Sequence, residues 1–177
     1  NEKVGILIGD VAGKGLAAAM RVVSARYAVR AYSHIDPRPS EVLTLTNRAL
    51  CRENRDYETG MLTAFFAILD LKNGKMDYAS AGHEPPVIVS RDGTCRELGI
   101  GDLPVGLMED VFYSQTSCHL NPGDLVVMVT DGITEARAPG VVLWGKEGLV
   151  EFLDVGRRLS PDELATGILE AATKYAG

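Results

Sequence analysis

Apolar runs broken by glycine and proline mark out the elements of this chain. Residues 4–8 form a short apolar run and predict a strand. Residues 16 to about 32 are rich in Ala and Val, with Arg26 and Arg30 four apart on a solvated face, and predict a helix that Pro37 and Pro39 stop. Val42, Leu43, Leu45, Ala49 and Leu50 recur at helical spacing between residue 40 and about residue 51. Residues 61–71 read as a long apolar strand. Asn73-Gly74, which favour positive φ, predict a hairpin turn into a returning strand over 75–81. Pro85 and Pro86 interrupt, residues 87–89 resume, and Asp92-Gly93 marks another hairpin. Residues 112–120 predict a strand containing His119, followed by the turn Asn121-Pro122-Gly123 and an apolar run over 125–129. A short helix is expected from 146 to about 153. A last helix opens at Ser160-Pro161-Asp162-Glu163, where Ser caps, Pro takes the first position and Glu completes a capping box.

Strands and helices are segregated, which favours an α+β fold over repeating βαβ units. The hairpins make the sheets mostly antiparallel. Three runs are nonetheless apolar throughout, whereas an antiparallel strand with one wet face alternates. Continuous runs therefore point to a layered sandwich, with sheets packed together and helices outside.

Composition narrows the class. The chain has 177 residues, 46% hydrophobic and 24% charged, with 18 Lys and Arg against 24 Asp and Glu and a net charge of −6. About two-thirds of the unfolded surface can be buried at this size, enough for a core without disulfides or structural metal. The acidic balance argues against a nucleic-acid or anionic-membrane binder. No apolar run reaches the ~18 residues of a membrane span. Cys51, Cys95 and Cys118 are widely spaced and form no C-x-x-C pair, so a reduced, cytoplasmic setting is expected and a zinc site is not. His34, His83 and His119 also lack metal-ligand spacing. The start at Asn1-Glu2-Lys3 is neither a signal peptide nor an initiator methionine, and the chain reads as part of a longer protein.

The candidate chemistry lies in two motifs, Gly9-Asp10-Val11-Ala12-Gly13-Lys14-Gly15 and Thr130-Asp131-Gly132-Ile133-Thr134-Glu135-Ala136. Each sets an aspartate at the end of an apolar run, with glycine close behind so that backbone can approach a ligand. Two carboxylates at neighbouring strand ends suit Mg²⁺ or Mn²⁺, which take hard oxygen donors. Water on such an ion loses its proton readily and can attack a phosphoryl group. An aspartate after a strand is equally a helix cap or turn residue, so each motif alone has a purely structural reading.

Two glycine-loop alternatives fail. Gly13-x-Gly15-x-x-Ala18 matches a dinucleotide fingerprint, but no parallel strand follows the helix, and Asp36 precedes Pro37 and another helix. A Walker A loop needs Gly six residues before Lys14 and Ser or Thr after it; the chain has Ile8 in the first position and Gly15 in the second.

The ordered set of motifs resembles the SpoIIE/RsbU-like branch of the PPM (protein phosphatase 2C-like) metal-dependent Ser/Thr protein phosphatases. The matching pieces are the Asp10 motif continuing Leu16-Ala17-Ala18-Ala19-Met20, Pro39-Ser40-Glu41-Val42-Leu43, Asn47-Arg48-Ala49-Leu50, Met61-Leu62-Thr63-Ala64 and Tyr78-Ala79-Ser80-Ala81-Gly82-His83-Glu84-Pro85-Pro86. Leu103-Pro104-Val105-Gly106-Leu107, Leu120-Asn121-Pro122-Gly123-Asp124, the Asp131 motif through Arg137 and Leu143-Trp144-Gly145 complete the series. The resemblance implies an α-β-β-α four-layer sandwich over residues 1–177 and hydrolysis of phosphoserine or phosphothreonine on a protein. It implies that Asp10 bridges two Mn²⁺ or Mg²⁺ ions, that the Val11 backbone carbonyl binds one of them and that Asp131 holds the other.

Lys14 either pairs with substrate phosphate or covers the helix start. His83 is either a general acid or part of a turn between strands. Gly132 gives room beside Asp131, and Trp144 and Gly145 pack a loop. The implied partners are a phosphorylated anti-sigma-factor antagonist and a sensory or regulatory domain in the same polypeptide.

The family's earlier Gly-Gly-Asp-x-x-Asp-like motif and its last Asp-Asp-x-Thr-like motif are not seen in this sequence. The expectation is a domain cut short at both ends, lacking a first and a last strand, with weak Mn²⁺ binding and little activity by itself. The competing expectation is a non-catalytic partner-binding module of the same fold.

Overall fold

The glycine-rich stretch after residue 8 separates a strand from a helix and Pro37 separates that helix from the next, as the sequence places them, while Pro39 is the first residue of the second helix. The computed structural model describes residues 2–53, 60–99, 101–137, 142–156 and 159–177. Among these, the elements run β1 (Lys3–Val11), α1 (Leu16–Ile35), α2 (Pro39–Glu53), β2 (Leu62–Asp70), β3 (Lys75–Ala81), β4 (Val87–Val89), β5 (Cys95–Glu97), β6 (Thr116–His119), β7 (Leu125–Val127), α3 (Asp131–Thr134), α4 (Gly145–Gly156) and α5 (Pro161–Ala176). The chain divides into two units, Asn1–His83 with Ile100–Leu120, and Glu84–Gly99 with Asn121–Gly177.

The first unit is an antiparallel sheet in the order β1-β2-β3-β6. Leu62, Ala64 and Phe66 lie two apart and so share one face of β2, which packs with Ala25 and Val29 of α1 and with Val42, Leu43 and Leu50 of α2. On the opposite face Phe65 is fully buried and stacks on Tyr78, with ring centroids 5.4 Å apart. Burial on both faces explains the unbroken apolar run of β2. Strand β1 differs. It lies at the sheet edge, and Leu7 keeps 40% of its surface exposed despite its apolar sequence.

Two buried polar side chains tie the helices down. Arg21 sits on the buried face of α1, where its Nη1 donates to the Leu50 carbonyl (3.0 Å) near Glu53 (3.8 Å). Asn47 of α2 is fully buried. Its Nδ2 donates to the carbonyls of Met108 (2.7 Å) and Glu109 (3.2 Å), and its Oδ1 accepts from the Gly106 N–H (2.8 Å). A buried amide is tolerated because its donors and acceptor are matched.

The second unit is a three-stranded antiparallel sheet, β5-β4-β7. Val87 and Val89 pack with Leu149 and Leu153 of α4 and with Leu164 and Ile168 of α5. The capping box at α5 forms as expected: the Glu163 N–H donates to Ser160 Oγ, and the Ser160 N–H donates to Glu163 Oε2 (2.8 Å).

Both units carry helices with antiparallel strands, which is the α+β class expected. Strands β3 and β4 match their predicted bounds. Three details differ. The turn between β2 and β3 spans residues 71–74 rather than two residues, and is closed by the Gly74 N–H on the Asp70 carbonyl (2.9 Å). The strand expected over 112–120 shrinks to β6, because the Tyr113 and Ser114 N–H groups go to Thr44 Oγ1 (3.3 Å) and Asp102 Oδ2 (2.6 Å) instead of a ladder. The run over 125–129 is strand only to Val127 and is half-buried, so it does not carry two fully covered faces.

Candidate active site

Asp10 is the penultimate residue of β1 and pairs with Thr63 of β2. The strands approach closely here. A Cβ on Gly9 would stand 2.6 Å from the Thr63 carbonyl oxygen, and one on Gly60 would strike the Ala12 carbonyl. The Ala12 N–H in turn donates to the Met61 carbonyl (2.9 Å). After this the chain turns through Gly13 and Gly15, both at positive φ, into α1. Glycine is what permits both the contact and the turn.

Within this corner Asp10 is half-buried, and its Oδ1 accepts the Val11 N–H (2.8 Å). That bond fixes the carboxylate relative to its own backbone. Thr63 Oγ1 donates to the Asp10 carbonyl (3.4 Å) and lies 2.9 Å from Nδ1 of His83, which is buried. The structure thus brings Asp10, Val11 and His83 together through Thr63. His83 also follows β3 directly, within the connection to β4, as the turn reading expects. Lys14 is exposed in the turn before α1.

Asp131 and Gly132 belong to the second unit. Asp131 is the first residue of the single-turn helix α3 rather than the end of a strand, since β7 stops at Val127. Its side chain is exposed, and its carbonyl accepts from the Glu135 N–H (2.6 Å). A carboxylate in the first turn of a helix is favoured by the exposed N–H groups there. A Cβ on Gly132 would meet nothing closer than Thr130 Oγ1 at 3.7 Å, so this corner is open where the other is tight. The Trp144 N–H donates to the Ala136 carbonyl (2.8 Å), and its ring packs against the core of this unit.

The donor chemistry fits a hard cation. Carboxylates of Asp10 and Asp131 and the Val11 carbonyl are oxygen donors of the kind Mg²⁺ and Mn²⁺ prefer. No group of three or more His, Cys, Asp or Glu among the described residues could hold a metal by itself. The cysteines are half-buried, and among the described residues none forms a disulfide. Burial, and then the Asp154 carboxylate, push the Cys95 thiol above its ordinary range, the opposite of an activated nucleophile.

Thr63 and Asn47 are residues with no role in the reading of the sequence alone. Thr63 is detectable as a lone hydroxyl early in an apolar strand, and Asn47 as an amide on an otherwise apolar helix face.

Comparison with known proteins covers the whole chain. The family described as Stage II sporulation protein E (SpoIIE) matches residues 1–177. Phosphoserine phosphatase RsbU of Bacillus subtilis (strain 168) is 36% identical over 174 residues, which is 98% of this chain and 51% of that protein. The chain therefore spans about half the length of that relative. The structure of the RsbU and RsbW domains of Rv1364c from Mycobacterium tuberculosis superposes with a TM-score of 0.80 at 27% identity, covering 99% of this chain and 49% of the other. The SiaA-PP2C domain of Pseudomonas aeruginosa gives a TM-score of 0.84 at 22% identity, covering 99% and 73%, and shares the fold.

Proposed function

The chain belongs to the SpoIIE family, and on that premise we propose that it is a metal-dependent phosphoprotein phosphatase acting on phosphoserine or phosphothreonine. Residues 1–177 form its phosphatase domain. The observation that carries this reading is 36% identity across 98% of the chain to a phosphoserine phosphatase, with Asp10 and Asp131 both in place.

Asp10 and Asp131 would supply carboxylate oxygens, and Val11 a carbonyl oxygen, to Mn²⁺ or Mg²⁺, and the complete domain would hold two ions. When bound, such ions polarise a phosphoryl group and lower the pKa of water. The residues of the chain do the rest. The Val11 N–H holds the Asp10 carboxylate in a fixed orientation. Gly9 and Gly60 keep the corner narrow, and the turn through Gly13 and Gly15 leaves Lys14 exposed to meet a substrate phosphate. Gly132 leaves the backbone beside Asp131 uncovered.

The substrate is a phosphorylated regulatory protein of the anti-sigma-factor-antagonist kind. RsbU is named a phosphoserine phosphatase, and the solved Rv1364c structure carries RsbU and RsbW domains. Both support a place in a partner-switching system; a cytoplasmic setting and a sensory or regulatory domain in the same polypeptide are part of the proposal. Among the described residues no helix is long and apolar enough to cross a membrane.

Hydrolysis of a phosphoserine peptide with and without Mn²⁺ tests the proposal. Turnover should require the metal, and Asp10→Ala and Asp131→Ala should each lower it by about a hundredfold or more. Undiminished turnover in either variant removes that residue from the site. Absence of turnover in the whole protein supports a non-catalytic module instead.

A further inference from the structure

Strand β2 is apolar over most of its length, yet it places a hydroxyl, Thr63, opposite Asp10. The bridge between Ala64 and Gly82 brings the end of β3 alongside, so that the buried His83 reaches Thr63. Thr63 Oγ1 then lies between two groups, His83 Nδ1 at 2.9 Å and the Asp10 carbonyl oxygen at 3.4 Å. A hydroxyl has one proton to donate, and a backbone carbonyl has none. If Thr63 gives its proton to Asp10, His83 must donate from Nδ1–H to Thr63; were Thr63 to donate to Nδ1 instead, the carbonyl would be left without that proton, so the imidazole tautomer separates the two directions.

We propose that His83 and Thr63 are positioning residues that act on the metal ligands through the backbone. Holding the Asp10 carbonyl fixes the peptide plane between Asp10 and Val11. The N–H of that same peptide donates to Asp10 Oδ1. One anchored peptide therefore sets the orientation of the Asp10 carboxylate and the path of the chain to the Val11 carbonyl. Groups that orient metal ligands in this way typically change metal affinity by about 10–100-fold when removed. The consequence of this relay at the metal rests on the phosphatase reading.

The test uses the whole protein with Mn²⁺ and a phosphoserine peptide. Thr63→Val keeps the shape and removes the hydroxyl. It should weaken Mn²⁺ binding by about tenfold in calorimetry, lower kcat more than KM, and speed exchange of the Val11 amide in metal-free protein. Thr63→Ser, which restores the hydroxyl, should recover all three. His83→Asn, which sets an amide nitrogen near the place of Nδ1, should recover more than His83→Ala. In a double-mutant cycle Thr63→Val and His83→Ala should be strongly non-additive. Nitrogen NMR of the metal-free wild type should find the proton of His83 on Nδ1.

An unprotonated Nδ1 overturns the relay, as do wild-type Mn²⁺ affinity and Val11 exchange in Thr63→Val. Should Thr63→Val not fold, Thr63→Ser and His83→Asn with the tautomer measurement still decide. Asp10→Ala run in parallel separates the two claims. If it loses metal and turnover while Thr63→Val matches wild type, the relay alone fails. If it keeps both, the phosphatase reading fails, and with it the relay's consequence at the metal.

Discussion

Asp10 and Asp131 each follow an apolar run and each stand near glycine, yet the chain holds them by different means. Asp10 sits inside a strand pair, half-buried, with its carboxylate bound to its own peptide and its carbonyl to a neighbouring strand. Asp131 sits on one exposed turn of helix, with space around Gly132. The first arrangement fixes orientation through steric closeness and long-range bonds. The second sets a carboxylate at a helix start, a position that favours it locally. Similar sequence signals thus lead to a rigid corner and an open one, and the two should respond differently to the same change.

Adding a methyl group to each corner is the strongest way to break this contrast. Gly9→Ala pushes a Cβ into the Thr63 carbonyl and should destabilise the protein by about 1–3 kcal/mol, the usual range for overpacking. Gly132→Ala meets no such contact and should be neutral or stabilise by up to about 1 kcal/mol through helix propensity. Denaturant titrations of both variants decide; equal effects would mean that the corners do not differ in tightness.

Removing charge gives a smaller effect. Asp131→Asn keeps the shape but gives up the interaction with the helix N-terminus, and metal-free stability should fall by about 0.3–1 kcal/mol. The loss should shrink in high salt, since an exposed charge is screened. A salt-independent loss would show that Asp131 is held by something other than the helix start.

The helix start at α5 sharpens the comparison further, because its cap is complete. The Ser160 N–H, and then its hydroxyl, hold the Glu163 carboxyl below the usual carboxylate range. A depressed folded-state pKa gives stability that is present above the unfolded value, about 4.3, and disappears as pH falls through the folded value. In Glu163→Gln, which keeps the shape but has no carboxylate to titrate, this acid-side slope should flatten. An unchanged acid limb would remove the capping box as its source.

The parts of this fold legible in the sequence are those fixed by neighbours along the chain. Ser160 and Glu163 are three apart, and their reciprocal bonds need no distant partner. Val87, Ile88 and Val89 lie between proline and a tight turn, so their bounds follow directly. What was not legible depends on contacts between distant residues. Tyr113 and Ser114 have strand-like sequence, but Thr44 and Asp102 claim their N–H groups. Residues 4–8 look like a covered strand, but β1 lies at the sheet edge. At the candidate site the aspartates were visible as motif positions. The link from His83 through Thr63 was not, because it joins residues 20 apart and needs the strand register to appear.

The amide of Asn47 is where helix α2 reads one stretch of chain by its pattern of donors and acceptors. A carboxylate there, as in Asn47→Asp, would set an oxygen against two carbonyls that now receive protons from a nitrogen, while the Gly106 N–H would keep its acceptor. The segment around Met108 would then be repelled by the helix that now tethers it, through the exchange of a single atom.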